Sequence, residues 1–348
     1  MTGKRRWVRR PAGSNWGDFG EDDVLGRLNL VTPRKVLEGV REVVEGLTFC
    51  LSLPLDCPGG NALNPRRFPP RIEYSMRGED PAMCYPMERV VPGQTDVVCD
   101  DRVTLSTQYS TQWDALAHMG SLFDADGDGR EEIVFYNGYR AGREVRGPKD
   151  YLDGDRSLPP PYGAGPLGVD QLAKHGMQGR GVLVDLYAHF GDEHRPVGFQ
   201  ELMEVMERDR VVVEEGDILC LRTGFDRVLL ACAGNPPEGL QHRFCTGLDG
   251  SDPELLRWID ESGVAALISD NEAVEYLPTP KPPAGRGSHY PLHHLCLFKL
   301  GIPLGELFYL SDLADWLRQR GRSRFLLTAP PLRLPGAVGS PVTAVATV

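Results

Sequence analysis

Between residues 106 and 114 polar and apolar positions alternate one by one. Ser106, Gln108, Ser110, Gln112 and Asp114 are polar, while Thr107, Tyr109, Thr111 and Trp113 are β-branched or aromatic. This period of two predicts a strand with one packed face and one face of hydrogen-bonding and acidic groups. The polar face ends in Asp114, His118 follows four residues later, and Phe135-Tyr-Asn-Gly138 comes shortly after. An acid and an imidazole beside an aromatic pair and a turn suit a functional site better than a solvated strand edge.

Upstream, Thr32 is a good N-cap and Pro33 suits a first helical position. Val36, Leu37, Val40, Val43 and Val44 then predict an apolar helix face that ends at Gly46. Residues 47–57 alternate as a strand. Residues 58–96 are rich in Pro, Gly and Arg with little periodicity, which predicts a long functional or flexible loop. Downstream, helices are expected at 169–175, at 199–208 with Leu202, Val205 and Met206 inward, and at 252–263 with Asp252 as N-cap. Apolar strands are expected at 180–186, 216–224 and 264–270. Strands alternating with helices predict an α/β chain with a largely buried central sheet. Residues 1–13 read as a disordered basic arm, and 14–348 as a single domain.

The chain has 348 residues, 41% of them hydrophobic, enough for a large core. A net charge of -11 argues against a nucleic-acid partner and against an anionic membrane. The basic run at 4–10 is followed by Pro11 without an apolar region, unlike a signal peptide, and no transmembrane run is evident. The eight cysteines lie singly with no CxxC spacing, which predicts reduced thiols and a cytoplasmic location.

Two further stretches bear on chemistry. Asp124-Ala-Asp-Gly-Asp-Gly-Arg130 mimics the start of a calcium loop, but its twelfth position is Phe135, so it reads as a calcium site or as a solvated acidic turn. Residues 289–301 predict a helix with a mostly apolar face that ends at Gly301, and a lone histidine on such a face is usually a satisfied core residue. Trp16 reads as a substrate wall or as a packing anchor. Trp16, Trp113, Phe135 and Tyr136 are expected to line one pocket beside the polar stretch.

The stretch 108–118 resembles a degenerate copy of the His-x-Gly-Thr-His-x-Asp-x-Pro-x-His signature of the cyclase-like metal hydrolases, the superfamily of bacterial kynurenine formamidase and isatin hydrolase. Gln108 and Gln112 fall on two signature histidines, Asp114 on the aspartate and His118 on the last histidine. The strands at 180–186 and 216–224 and the turn Ser269-Asp-Asn-Glu-Ala-Val-Glu275 also resemble the family's order. The resemblance implies its swivelling β/β/α architecture with a mixed central sheet, and a homodimer or homotetramer. It implies a metal site of Gln108, Gln112, Asp114, His293 or His294, and Glu306, with the long-chain pattern favouring His293. It also implies that His118 is the general acid or base, working with Asp114.

Carboxamide oxygens in place of imidazoles weaken zinc, so the expected ion is manganese, magnesium or calcium, or none at all. The expected activity is hydrolysis of an amide, lactam or lactone of a small cyclic or aromatic molecule. Alternatives are a cyclase or dehydratase using His118 and Asp114 without metal hydrolysis, and a binding protein that lost catalysis. Retention of Asp114, His118 and Glu306 together weighs against the last.

Overall fold

The computed structural model describes residues 5–148, 151–158, 160–277 and 287–348. Its centre is a nine-stranded mixed sheet. In spatial order the strands are Thr48–Cys50, Val345–Thr347, Arg324–Thr328, Gln178–Asp185, Ile218–Arg222, Ala266–Ser269, Leu304–Glu306, Gln112–Asp114 and Gly339–Pro341. The four strands from Gln178–Asp185 to Leu304–Glu306 are parallel, and antiparallel strands extend both ends. The parallel strands are nearly all buried because both faces are covered, as β-α-β crossovers require. The expected α/β class and mixed, buried central sheet are therefore present.

The helices form where caps and periodicity coincide. Phe199–Arg208 buries Leu202, Val205 and Met206, and Pro253–Ser262 starts on Asp252, whose carboxylate accepts from the amides of Glu254 and Leu255. Val169–His175 closes on Gly176 in the left-handed conformation. The segment around His293 differs from a plain helix. A short α-helical turn, Pro291–His293, passes into a π-helical stretch, His294–Leu300.

The wider π turn leaves carbonyls at its end that the N-terminal loop answers. Trp16 Nε1 donates to Phe298 O, Asn15 Nδ2 to Leu300 O, and the amide of Arg27 to Gly301 O, each at 2.8 Å. Trp16 is fully buried here, edge-on to Trp7, Phe123 and Phe298, which makes it a packing anchor. The basic arm is also not loose from Arg5 onward. Trp7 is buried, and the amides of Val8 and Arg9 donate to Ala125 O.

Three other expectations are corrected. Thr32 does cap the helix Pro33–Val40, but Leu37, Val40 and Val44 are exposed; Gly39 instead packs against the Gly179 backbone, and buried Lys35 reaches Asp217 at 3.2 Å. The alternating stretch forms a strand only at Gln112–Asp114, because Ser110 and Thr111 bond instead to the carbonyls of Pro54 and Leu307. The loop 58–96 folds into small exposed hairpins that pair Arg71–Tyr74 with Asp101–Thr104 and Tyr85–Pro86 with Val97–Val98. All eight cysteines are free, as expected of reduced thiols, and the Cys84 amide lies 3.1 Å from Cys99 Sγ.

The contact between the N-terminal loop and the π turn gives a stability prediction. Gly26 has φ +58, and a Cβ there would stand 2.0 Å from Gly301 O. Gly26→Ala is expected to destabilise by roughly 2–4 kcal/mol, from overpacking and a left-handed backbone. Gly46→Ala, at φ +71 with nothing within 4 Å, should cost only about 1–2 kcal/mol. Chemical denaturation of the two variants beside the parent chain checks the difference.

Candidate functional site

The antiparallel pairing of Gln112–Asp114 with Leu304–Glu306 sets Leu304 opposite Asp114 and Glu306 opposite Gln112. With side chains alternating along each strand, Gln112, Asp114 and Glu306 share one face while Trp113 points to the other. Trp113 packs edge-on against Phe308 and donates from Nε1 to Ala329 O. On the functional face Asp114 and Glu306 are both buried, and His293 enters from the short helix. Ligand atoms of Asp114, His293 and Glu306 lie within 4.8 Å of one another.

His293 is held from both sides. Its Nδ1 lies 2.6 Å from Glu275 Oε1 and its Nε2 lies 3.3 Å from Glu306 Oε1. Glu275 also accepts the backbone amides of Leu292 and His293, so it caps that helix start and orients the ring. Burial alone would lower the imidazole, but hydrogen bonds to Glu275 and Glu306 outweigh it and raise His293 to about 10. His294, the alternative left open by the spacing, stacks on Phe298 with ring centroids 4.9 Å apart, and burial lowers it to about 4.

Asp114 is the least satisfied group in the site. Both its oxygens are buried without a hydrogen-bond partner. Burial pushes it up to about 6, with His118 opposing and Glu306 adding to the shift. His118 Nε2 stands 3.6 Å from Asp114 Oδ2, an ion-pair distance rather than a hydrogen bond, and its side chain is 23% exposed. Gln112 donates from Nε2 to Glu306 Oε2 at 2.8 Å and keeps a buried, unpartnered Oε1. Gln108 differs, because its Oε1 already accepts from Thr107 Oγ1 at 2.8 Å.

An orphaned carboxylate, an orphaned carboxamide oxygen, a second carboxylate and an imidazole fit a divalent cation with mainly oxygen donors. The residues that would hold it are Asp114, His293 and Glu306, with Gln112 Oε1 beside them; Gln108 offers a donor instead.

The cluster opens on a cavity of about 420 Å³ whose wall includes His118, Gln108, His293, Glu306, Arg67 and Glu272. Arg67 and Glu272 were not singled out by the sequence reading, and Glu275 had no role in it. Burial raises Glu272 to about 7, with Glu306 adding and Arg67 opposing. Of the expected aromatic wall, Trp16, Trp113 and Tyr136 are all buried in packing. The Tyr136 hydroxyl donates to Asp23, and Phe135 stands over Gly120 without joining the cavity wall. The acidic loop brings Asp124, Asp126 and Asp128 together, but the amides of Gly127 and Gly129 and the Arg9 guanidinium bond to Asp124.

Over residues 50–276 the chain matches the family model described as "Putative cyclase". A solved structure described as a novel cyclase is 30% identical, with 96% of this chain and 99% of that one covered and a TM-score of 0.71. Isatin hydrolase A from Ralstonia solanacearum is 16% identical over 86% of this chain and 91% of that one, with a TM-score of 0.55. Isatin hydrolase A from Labrenzia aggregata bound to benzyl benzoate is 16% identical over 90% of this chain and 98% of that one, with a TM-score of 0.53. These two share the fold. No curated protein matches the chain.

The orphaned Asp114 generates a two-sided prediction. Asp114→Asn removes a buried charge that lacks a partner, so the metal-free variant should melt no lower than the parent, and higher at pH 8. The same change should weaken manganese uptake by more than the roughly 10–100-fold that loss of an outer partner costs. Calorimetric melting of the chelated proteins and metal analysis after manganese loading check the two halves.

Proposed function

Because the chain belongs to this cyclase family, we propose that it is a divalent-metal hydrolase that opens an amide, lactam or lactone of a small molecule. The observation that carries this reading is the buried Asp114 carboxylate without a hydrogen bond, grouped with His293 and Glu306, which line an open cavity. When bound there, a divalent ion supplies a Lewis acid for the carbonyl and acidifies water.

The chain's own residues divide the remaining work. His118 lines the cavity at 3.6 Å from Asp114, so its imidazole can take a proton from water and return it to the leaving group. Glu275 accepts from Nδ1 of His293, which fixes the tautomer and leaves Nε2 directed at Glu306 and the ion position. Gln112 holds Glu306 in place through its amide nitrogen.

Two outcomes test the reading. His118→Ala should lower turnover by about 10²- to 10⁴-fold, the usual weight of general acid-base catalysis, with little change in melting temperature. A His118→Ala protein with full turnover would sink the assignment. The second test concerns pH. His293 is raised to about 10 and Asp114 to about 6 without an ion, so a cation must displace protons to bind. Manganese affinity should therefore rise with pH between 6 and 8, with proton release, as read by calorimetry in buffers of different ionisation enthalpy.

A further inference from the structure

We propose that Arg67 and Gln108 form an anion-reading wall of the cavity, so that the substrate carries a carboxylate beside the carbonyl that is opened. This rests on the hydrolase reading of the same site and narrows its substrate class. Both residues line the cavity beside His118 and also a smaller one. Arg67 comes from the Pro- and Arg-rich loop, and its side chain is 21% exposed. Its one ion-pair contact among the described residues is Glu306 Oε2 at 4.0 Å, beyond hydrogen-bond reach. The planar guanidinium lines the cavity, and among the described residues no hydrogen bond fills its fork of donors.

Gln108 adds a second donor. Its oxygen is taken by Thr107 Oγ1, which leaves Nε2 as the free end, and that nitrogen is buried without a partner. Gly339 gives it room, since a Cβ there would stand 2.4 Å from Nε2. The nitrogen has almost no accessible surface, so a ligand oxygen meets it when the carboxamide turns toward the cavity, and that contact would remove the cost of a buried donor without an acceptor. The electrostatics point the same way. A divalent ion would offset Asp114 and Glu306, and Glu275 is paired with His293. Arg67 and the exposed Arg66 then leave the cavity wall cationic against the single carboxylate of Glu272. A guanidinium fork beside a carboxamide N–H matches a planar carboxylate. A neutral group of the same shape would leave one or both donors unpaired and be rejected.

The test uses the full chain loaded with manganese and two isosteric probes, benzoate and benzamide, titrated by calorimetry. Benzoate should bind at least roughly tenfold tighter, the scale of a lost charge-assisted contact. Arg67→Met should abolish that preference while leaving benzamide binding as it was. Gln108→Leu should reduce benzoate affinity by a smaller factor. Benzoate can also ligate a bound ion, so Arg67→Met protein with the parent's benzoate affinity would overturn the proposal. Equal affinity of the parent chain for the two probes would overturn it as well, and that comparison needs no variant to fold. Metal content is read on every sample. A chain that takes up no ion yet prefers benzoate through Arg67 supports this proposal and defeats only the hydrolase reading.

Discussion

Two carboxylates buried side by side are the constraint around which the rest of the site is arranged. The register of two short antiparallel strands puts Asp114 and Glu306 on one face with almost no solvent. In a medium of low dielectric two such charges repel strongly, and each loses its hydration. A fold keeps them only where cations answer. His293 answers Glu306, Gln112 gives Glu306 a neutral hydrogen bond, and Arg67 approaches its outer oxygen. Asp114 receives no hydrogen bond, and His118 reaches it only at ion-pair distance. Of the two carboxylates, Asp114 is the one with neither oxygen hydrogen-bonded, and a cation would stabilise it most.

Such a site works only if its one imidazole is held firmly, and the scaffold does this from three directions. Glu275 binds the ring and the helix start at once. The π-helical turn after His293 widens the backbone, and turns of this kind recur at functional sites. Its terminal carbonyls would be orphaned were they not met by Asn15, Trp16 and Arg27 from the far N-terminal loop. The close approach of Gly26 to Gly301 locks that contact, so chain segments almost 300 residues apart set the position of His293.

How much of this could be read from the residues depends on whether a local rule decides the outcome. The helices at Phe199–Arg208 and Pro253–Ser262 and the central strands were legible because capping, apolar period and burial all agree. Asp114, His118, His293 and Glu306 were legible through their motif, and the structure groups them. The helix at Pro33–Val40 was misread on its packed face. Glycine-to-backbone contact and a buried Lys35 replaced apolar burial there, leaving Leu37 and Val40 exposed. The aromatic wall was misread because Trp113 sits one residue from Asp114, and a period of two sends neighbours to opposite faces. Arg67 and Glu272 gave no usable signal. One lies in an aperiodic loop and the other in a turn, and only tertiary folding places both beside Glu306.

The two glutamines that replace signature histidines end in different roles, although the sequence presents them alike. A carboxamide carries an acceptor at one end and donors at the other, so its neighbours decide which end is left for the site. Glu306 takes the nitrogen of Gln112, which leaves an oxygen among the cation-binding groups. Thr107 takes the oxygen of Gln108, which leaves a nitrogen among the cavity-lining groups. The first substitution leaves two carboxylates and a carboxamide oxygen around one imidazole, a donor set dominated by oxygen. The second converts a ligand position into a donor position. Beside a cavity wall that also carries Arg67, that end of the carboxamide suits an electron-rich oxygen and not a cation.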